Sequence, residues 1–213
     1  SKQAGVNHQR IDIVVNSGRQ SGRLTNHDGK FHGLRPVHER CDSVLTSGEL
    51  LENGIASRGV RRTYEGASPE SQMFSETESQ VQAGGRAHWL CASFSSYKDT
   101  AFTYDAGSQA YLVGQFGEAQ MDGAYNTQVA RQNVLALYIP TYSPDGGLLQ
   151  QMDLIGSGDG YYMSRGKIIP IAWHKDSYDT PFYYTTEAGE ALIMAPGSVY
   201  VCCVPLSGSI TFE

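Results

Sequence analysis

The chain has 213 residues and a mass of 23.2 kDa, enough for one sizeable domain or two small ones, each with a hydrophobic core. Hydrophobic residues make up 40% and charged residues 18%, a balance typical of globular and not of disordered proteins. Residues 87–213 hold 5 basic against 12 acidic side chains and account for the formal net charge of −6. Nucleic acid is therefore excluded as a partner, because binding its phosphates needs a basic face.

The sequence contains no membrane-spanning segment and no obvious cysteine chemistry. No apolar run reaches the ~20 residues needed to cross a bilayer, and no charged-then-apolar leader opens the chain. Because Ser1 follows no initiator methionine, we interpret the chain as a fragment whose leader, if there was one, has been removed. The four cysteines form no C-x-x-C pair. In a strand, the adjacent Cys202 and Cys203 would point to opposite faces, which predicts two small buried hydrophobic side chains rather than a redox pair.

The first 38 residues show little periodicity. One strand is predicted at residues 11–15, and loop or weak structure elsewhere. The spacing of His27, His32 and His38 fits neither a helical nor a strand-borne metal site, so we expect solvated loop histidines. The sequence predicts no metal and no cofactor.

One helix is predicted after this region. Residues 46–49 (TSGE) have the form of a capping box, in which the threonine hydroxyl and the Glu49 carboxylate bind free amides at a helix start. Leu50, Leu51 and Ile55 then form an apolar stripe, and Gly59 stands where a left-handed residue ends a helix. We expect an amphipathic helix that covers one face of a sheet. The acidic segment 65–85 that follows is predicted to be a connector.

From residue 87 onward the pattern is that of β-strands, in short apolar or aromatic runs separated by turn residues. The predicted strands are residues 87–94, 102–104, 111–113, 133–142, 148–154, 161–163, 168–173, 182–184, 191–194 and 199–204. This spacing predicts an α+β fold, a mostly antiparallel β-sheet sandwich with one or two covering helices. We place a loop-rich region at residues 1–86, with a helix near 47–58, and a β-rich C-terminal domain at residues 87–213.

Two glycine-rich segments are predicted to be turns. The proline and Asp-Gly of residues 143–147 (SPDGG) favour a hairpin that pairs residues 133–142 antiparallel with 148–154. Residues 156–160 (GSGDG) could suggest a phosphate-binding loop. Such a loop needs a helix N-terminus behind it, whereas Tyr161 and Tyr162 continue as a strand, so we predict a tight turn or bulge.

A series of short motifs follows a fixed order in this second part. They are 102–105 (FTYD), 133–134 (NV), 154–158 (LIGSG) followed by 161–162 (YY), 166–167 (GK), 171–175 (IAWHK) and 195–200 (APGSVY). In order and spacing over about residues 87–206, the chain resembles the YerB-like lipoproteins of Gram-positive bacteria, a family described mainly as a domain of unknown function. Residues 46–51 also look like the junction between that family's two domains. The resemblance implies an α+β sandwich outside the cytoplasmic membrane, held to it by a lipid anchor in the full-length protein, and implies no reaction.

The candidate ligand site centres on the strand that carries Trp173, His174 and Lys175. Trp173 and Lys175 would share one face, as an aromatic platform beside a cation that suits sugars or anionic groups, and His174 would point to the other face. The alternative is a Trp173 that belongs to the core and a Lys175 that is solvated at the strand end. The other candidate ligand-binding residues are Asp105, Arg131, Tyr161 and Tyr162. Asp105, Asp122 and Arg131 are also candidate partners for Lys175 across the sheet. We interpret such a grouping as an ordinary ion pair rather than as part of a ligand site.

No catalytic residue is assigned. The sequence contains no G-x-S-x-G, H-E-x-x-H or S-x-x-K motif, and the aspartates at 153, 159, 176 and 179 lack the spacing of an EF-hand loop. The first hypothesis is an extracytoplasmic, non-enzymatic binding or scaffold module of the cell envelope, whose partner is a cell-wall polymer or an envelope protein. The alternative is an enzyme that acts on cell-wall polysaccharide or peptide with carboxylates or His174 near Trp173 and Lys175. In a third possibility the sheet positions a partner domain that carries the activity.

Overall fold

The computed structural model describes residues 11–14, 48–63, 72–123, 125–146 and 150–213. The chain divides into two compact units, one formed by Ser1–Gly18 with Glu70–Glu213 and the other by Arg19–Pro69. The predicted boundary at residues 86 and 87 stays a prediction. His27, His32, His38 and Cys41 lie outside the described residues.

The smaller unit contains the predicted helix, α1 (Gly48–Arg58). Gly59 adopts the left-handed conformation with φ +62°, and the Val60 amide donates to the Ile55 carbonyl at 3.2 Å. This bond closes the helix end in the way that a glycine after the last helical residue allows, which confirms the predicted terminus. The capping residues Thr46 and Ser47 lie outside the described residues. No residue of α1 is buried, and its role as a cover for a sheet stays a prediction.

The larger unit consists of nineteen described strands and one short 3-10 helix, Gln80–Ala83. The first ten strands are β1 (Ile11–Val14), β2 (Met73–Phe74), β3 (Gly85–Arg86), β4 (Trp89–Ser95), β5 (Lys98–Asp105), β6 (Ala110–Gln115), β7 (Glu118–Ala119), β8 (Met121–Asp122), β9 (Thr127–Gln128) and β10 (Ala130–Arg131). The others are β11 (Asn133–Ile139), β12 (Thr141–Tyr142), β13 (Gln151–Met152), β14 (Gly156–Ser164), β15 (Lys167–Lys175), β16 (Tyr183–Thr186), β17 (Ile193–Met194), β18 (Val199–Pro205) and β19 (Ser209–Phe212).

These strands form two large sheets and three two-stranded ones. The seven-stranded sheet has the order β1-β18-β11-β14-β15-β16, with β3 paired to the start of β15. The six-stranded sheet has the order β10-β6-β5-β4-β19, with β7 paired to β6. The small sheets are β12 with β13, β2 with β17, and β8 with β9. A mostly β chain with one described helix confirms the predicted α+β class, whereas the sandwich arrangement stays a prediction.

Pairing at the centre of the seven-stranded sheet differs from the sequence-based expectation. Strand β18 runs parallel to both of its neighbours, since Val199 lies opposite Ile11 of β1 and Asn133 of β11. An unbroken apolar run such as VYVCCV, with no polar alternation, is typical of a parallel strand buried on both faces. The hairpin predicted at residues 143–147 does form antiparallel pairs, but only between β12 and β13. Residues 133–139 pair with β14 and β18 instead.

Among the described residues the core consists of two clusters, one on each face of the seven-stranded sheet. The inter-sheet cluster contains residues of both large sheets: Ala87, Leu90, Ala92, Phe102, Tyr111, Val113, Val134, Ala136, Met163, Ile168, Tyr200, Cys202, Val204 and Ile210. The outer cluster contains Val81, Leu135, Leu137, Ile139, Tyr162, Ile171, Trp173, Tyr184, Leu192, Met194, Val199, Val201 and Cys203. Val81 is fully buried, so the predicted connector at residues 65–85 contributes a core residue within its described part. Its 3-10 helix packs one apolar side chain into the outer cluster.

The adjacent cysteines of β18 confirm the sequence-based interpretation. Cys202 belongs to the inter-sheet cluster and Cys203 to the outer cluster, and both are free. Burial raises the pKa of both thiols, that of Cys203 to about 11. Each therefore serves as a small hydrophobic side chain on its own face of the sheet.

The predicted turn at residues 156–160 was wrong, because this segment begins the long strand β14 and pairs without a register shift with β15. Two of its glycines give room to neighbouring atoms, a side chain in one case and a backbone oxygen in the other. A Cβ atom on Gly158 would lie 2.7 Å from Trp173 Nε1, and one on Gly160 would lie 2.7 Å from the Ala136 carbonyl oxygen. Glycine in a strand marks a close approach of this kind as well as a bend.

Two further observations concern only the described part of the chain. None of its helices combines the length and the apolar character that crossing a membrane would need. No three His, Cys, Asp or Glu side chains in it lie close enough together to hold a metal ion.

Candidate functional site

Trp173 lies in the outer cluster with an exposed fraction of 1%. Its Nε1 donates to the Tyr138 carbonyl at 2.9 Å, and its ring meets Phe182 edge-on with centroids 5.7 Å apart. A buried indole with its only donor satisfied cannot serve as a platform for a ligand. The alternative in which Trp173 belongs to the core is therefore the one that the structure shows.

Lys175 shares the face of Trp173, as predicted, but it is 9% exposed and not solvated. Its ammonium group donates to the carbonyls of Tyr178, at 3.4 Å, and Thr180, and it lies 5.6 Å from the centroid of the Phe182 ring. The lysine thus holds the loop that follows β15. This accounts for its burial without a ligand.

The expected partners of Lys175 lie elsewhere. Asp105 ends β5 and Arg131 ends β10 in the six-stranded sheet, and Asp122 ends β8 in a small sheet. The predicted grouping of these three residues around Lys175 was therefore wrong. The reason is that Lys175 shares the face of Trp173, which the outer cluster covers, and its ammonium group binds loop carbonyls there.

Asp105 and Arg131 each make hydrogen bonds to residues close to them in sequence. The Asp105 carboxylate accepts hydrogen bonds from the Gly107 amide (3.3 Å) and from the amide (2.9 Å) and hydroxyl (2.6 Å) of Ser108, and the bonds from Ser108 are the main cause of its lowered pKa. The Arg131 Nη1 donates to the Ala130 carbonyl at 2.7 Å.

Tyr162 is fully buried. Its hydroxyl donates to Asn133 Oδ1 and accepts from the Ala195 amide, each at 2.7 Å. It joins β14 to β11 and to the residue that follows β17, rather than facing a ligand.

His174 and Tyr161 lie on the opposite face of the seven-stranded sheet from Trp173. Side chains alternate along a strand, and this is the face that the inter-sheet cluster covers near Met163 and Ile168. Further along β14 and β15 the same face is exposed. Pro170 and Asp159 are exposed there, and Ala172 is half-buried.

The register places the side chains of this exposed area, which we call the open face, in neighbouring rows. One row contains Ser157, His174 and Tyr183, from β14, β15 and β16. The next row contains Asp159, Ala172 and Thr185. A third row contains Tyr161 and Pro170, and Phe212 of β19 borders it from the other sheet.

Aromatic rings stand at both ends of the open face. The His174 imidazole stacks on the Tyr183 ring with centroids 4.8 Å apart and an interplanar angle of 18°. At the other end the Tyr161 and Phe212 rings are 5.1 Å apart. Because each residue of a strand adds about 3.3 Å and the two ends are four residues apart, the aromatic pairs stand about 13 Å apart. The floor between them contains small side chains and the Asp159 carboxylate.

Hydrogen bonds fix the polar groups of the first row. His174 Nε2 lies 3.0 Å from the Thr185 hydroxyl. The Tyr183 hydroxyl donates to Asp176 Oδ1 at 3.4 Å. Desolvation, followed by the Asp176 carboxylate, raises the pKa of Tyr183, so its hydroxyl stays protonated. Tyr183 is 45% exposed and Phe212 is 43% exposed, which leaves both rings accessible.

This combination suits a neutral, ring-shaped polar molecule. The faces of a sugar ring present C–H groups that pack on aromatic rings, and its hydroxyl groups donate to a carboxylate. The sequence-based search found His174 and Tyr161 but missed Asp159, Tyr183 and Phe212. The alternation of side chains along β14 and β15 does place Asp159 on the same face as Tyr161 and His174. Tyr183 and Phe212 could be added to that face only once the pairing of β16 and the position of β19 were known.

Comparison with known proteins places the chain in a family. The C-terminal domain of the family described as protein of unknown function (DUF3048) matches residues 90–201. The chain belongs to this family and contains its YerB-like C-terminal domain. No curated protein matches the chain in sequence.

The fold is similar to a solved structure. The crystal structure of the YerB protein from Bacillus subtilis aligns with a TM-score of 0.62 at 17% identity, over 78% of this chain and 54% of YerB. The chain thus spans about half the length of that protein. At this identity the similarity concerns the fold alone.

Proposed function

We propose that the chain is a non-enzymatic binding module of the cell envelope, and that its open face binds the glycan of a cell-wall polymer. The observation that carries the proposal is the accessible stack of His174 and Tyr183, one row from the Asp159 carboxylate. The two large sheets share the inter-sheet cluster, which supports the sandwich arrangement implied by the family resemblance.

The charge of the chain favours an uncharged stretch of polymer. The net charge is −6, and Asp159 is an exposed carboxylate on the open face. Anionic polymers would be repelled, whereas glycan hydroxyl groups donate to a carboxylate. The location that we propose is outside the cytoplasmic membrane, to which a lipid anchor in the full-length protein attaches this domain. The family resemblance supports that location.

Co-sedimentation with purified peptidoglycan sacculi tests the proposal. We expect the wild-type protein to sediment with sacculi and Tyr183→Ala to lose at least about fivefold in affinity, since stacking on one aromatic side chain contributes on the order of 1–3 kcal/mol. Tyr183→Phe keeps the ring and should retain most of the binding. Tyr97→Ala removes a tyrosine that is 72% exposed at the turn between β4 and β5, and should bind like the wild type.

Two other outcomes of this experiment would contradict the proposed binding surface or the proposed partner. Equal sedimentation of all four proteins would show that the open face is not the binding surface. No sedimentation of any of them would favour an envelope protein as partner, or a role in positioning another domain.

The same incubation also addresses the alternative of an enzyme. Release of soluble fragments from the sacculi would support catalysis, and His174→Ala would then show whether the imidazole takes part. An unchanged rate in that variant would exclude His174 as a catalytic residue.

A further inference from the structure

Lys98 is a nearly buried lysine that no sequence motif identifies. It begins the row of β5 side chains, Lys98, Thr100 and Phe102, that faces the inter-sheet cluster, and it is 8% exposed. Its Nζ donates to Gln115 Oε1 at 2.5 Å. Lysine is among the residues least often buried, and a buried one normally has a charged partner.

The other polar groups at this margin of the core are neutral. Gln115 Nε2 donates to Gln120 Oε1 at 3.0 Å and lies 3.4 Å from the Tyr200 hydroxyl. Burial raises the pKa of Tyr200 to about 12, so this hydroxyl remains a neutral donor. The Thr100 hydroxyl, fully buried beside Lys98 in the same row, has no hydrogen-bond partner.

No ion pair within the described part of the chain neutralises Lys98. Asp99 is next in sequence, but its side chain points to the other face of the sheet and accepts a hydrogen bond from the Phe116 amide at 3.1 Å. Burial lowers the pKa of Lys98, and the nearby Asp99 opposes this only in part. A buried cation without a paired anion lowers the stability of the folded state.

Phe116 covers this cation in an unusual conformation. Its φ is +55° and that of Gly117 is +77°, so the two residues form the tight turn between β6 and β7. A bulky residue with positive φ is rare and costs free energy. The turn places the Phe116 ring 4.1 Å from Lys98 Nζ, while the ring itself is 61% exposed.

We propose that Lys98, covered by the Phe116 ring, is a binding site for an oxyanion, a carboxylate or phosphate group of a small molecule, with the Thr100 and Tyr200 hydroxyls as further donors. The ring keeps the ammonium partly desolvated in the free protein through a cation–π contact. Rotation of the exposed ring uncovers Nζ, and the bound oxyanion supplies the missing negative charge. This site lies on β5 and β6, apart from the open face, so it does not depend on the proposed glycan binding.

Thermal unfolding with added anions tests the site. Sodium phosphate and sodium acetate are titrated separately, each against sodium chloride at the same ionic strength, at pH 7.5. We expect a saturable rise in Tm with at least one of the two anions. A rise in Tm with phosphate alone would identify a phosphate group as the ligand. A rise with both anions would show that a carboxylate group is sufficient for binding.

Three variants make the test specific. Lys98→Met preserves the length of the side chain and removes its charge, and should abolish the saturable rise. Phe116→Gly removes the cover, fits a positive φ, and should lower the apparent dissociation constant several-fold. Lys167→Met removes a lysine that binds the Gln82 carbonyl and should respond like the wild type.

The proposal is overturned if neither anion produces a saturable rise in the wild type or in Phe116→Gly. It is also overturned if Lys98→Met responds as the wild type does. Circular dichroism of each variant establishes that it is folded, and should Lys98→Met not fold, Lys98→Gln replaces it in the same comparison.

Discussion

Gly158 shows how a single missing side chain permits the packing of a large one. It lies opposite Trp173 in the register of β14 and β15, and the indole occupies the space where a Cβ atom would be. The indole is also fixed by the bond from its Nε1 to the Tyr138 carbonyl. The glycine and the tryptophan are therefore one structural unit, although they are 15 residues apart.

Gly158→Ala should destabilise the protein by about 1–3 kcal/mol, because the added methyl group has to displace a ring that is packed and hydrogen-bonded. Urea unfolding measures the loss, and a change in near-ultraviolet circular dichroism would show that the indole has moved. Gly85→Ala is the matched control, since a Cβ there meets nothing within 4 Å, and it should lie within about 0.5 kcal/mol of the wild type. Equal stabilities of the two variants would contradict the assigned contact.

The position of Trp173 also shows where sequence-based reasoning ends for individual residues. Both faces of β15 carry apolar side chains, Ile168 and Ala172 on one and Ile171 and Trp173 on the other. The alternation correctly predicted that Trp173 and Lys175 share a face and that His174 does not. Which face is covered depends on segments far away in sequence, so the pattern of β15 alone could not show that the Trp173 ring is buried.

At the scale of elements, the turn between β5 and β6 depends on Asp105. Its carboxylate accepts three hydrogen bonds from Gly107 and Ser108, which replace water as partners of those groups. These bonds, mainly the side-chain bond from Ser108, lower its pKa in the folded state. The carboxylate therefore stabilises the fold above its ordinary pKa of about 4, and this contribution is lost as the pH falls through the lowered value.

Asp105→Ala should therefore be less stable than the wild type by the same amount at pH 7 and pH 5, and by a smaller amount at pH 3. Urea unfolding at the three pH values measures this difference. Asp105→Asn keeps an acceptor oxygen that does not titrate, so its stability relative to Asp105→Ala should not change with pH from this cause. A difference that stays constant from pH 7 to pH 3 would contradict the role assigned to the carboxylate.

Most strands were predictable because they are bounded by turn residues, and the order of strands in the sheets was not. Strand β19 was missed, since SITF is short and only Ile210 is buried in it. The parallel pairing of β18 was missed because it joins segments that are more than 60 residues apart. The sequence of β18 does not indicate that β11 is its neighbour, although the unbroken apolar run of β18 indicates burial on both faces.

For the whole molecule, the seven-stranded sheet carries a cluster of buried side chains on each face. Cys202 belongs to the inter-sheet cluster and Cys203 to the outer cluster, so the reactivity of each thiol shows whether its own cluster is closed. Burial raises the pKa of both thiols, so little of either is present as the reactive thiolate at pH 8.

Iodoacetamide at pH 8 should therefore leave Cys202 and Cys203 unmodified in the folded protein. Both should react together over the urea range in which circular dichroism shows global unfolding, with peptide mapping by mass spectrometry to separate the sites. An exposed control, Ser96→Cys in the turn before β5, should react at once without urea. Reaction of Cys203 well before Cys202 would show that the outer cluster opens separately.

The place of β18 within the sheet also bears on how the chain folds during its synthesis. This strand, at residues 199–205, lies between β1 and β11, which leave the ribosome far earlier. Neither core cluster can be completed until β18 has been synthesised, so one edge of β11 stays unpaired until then. Folding then requires closing long loops, which is slow for chains whose contacts are distant in sequence.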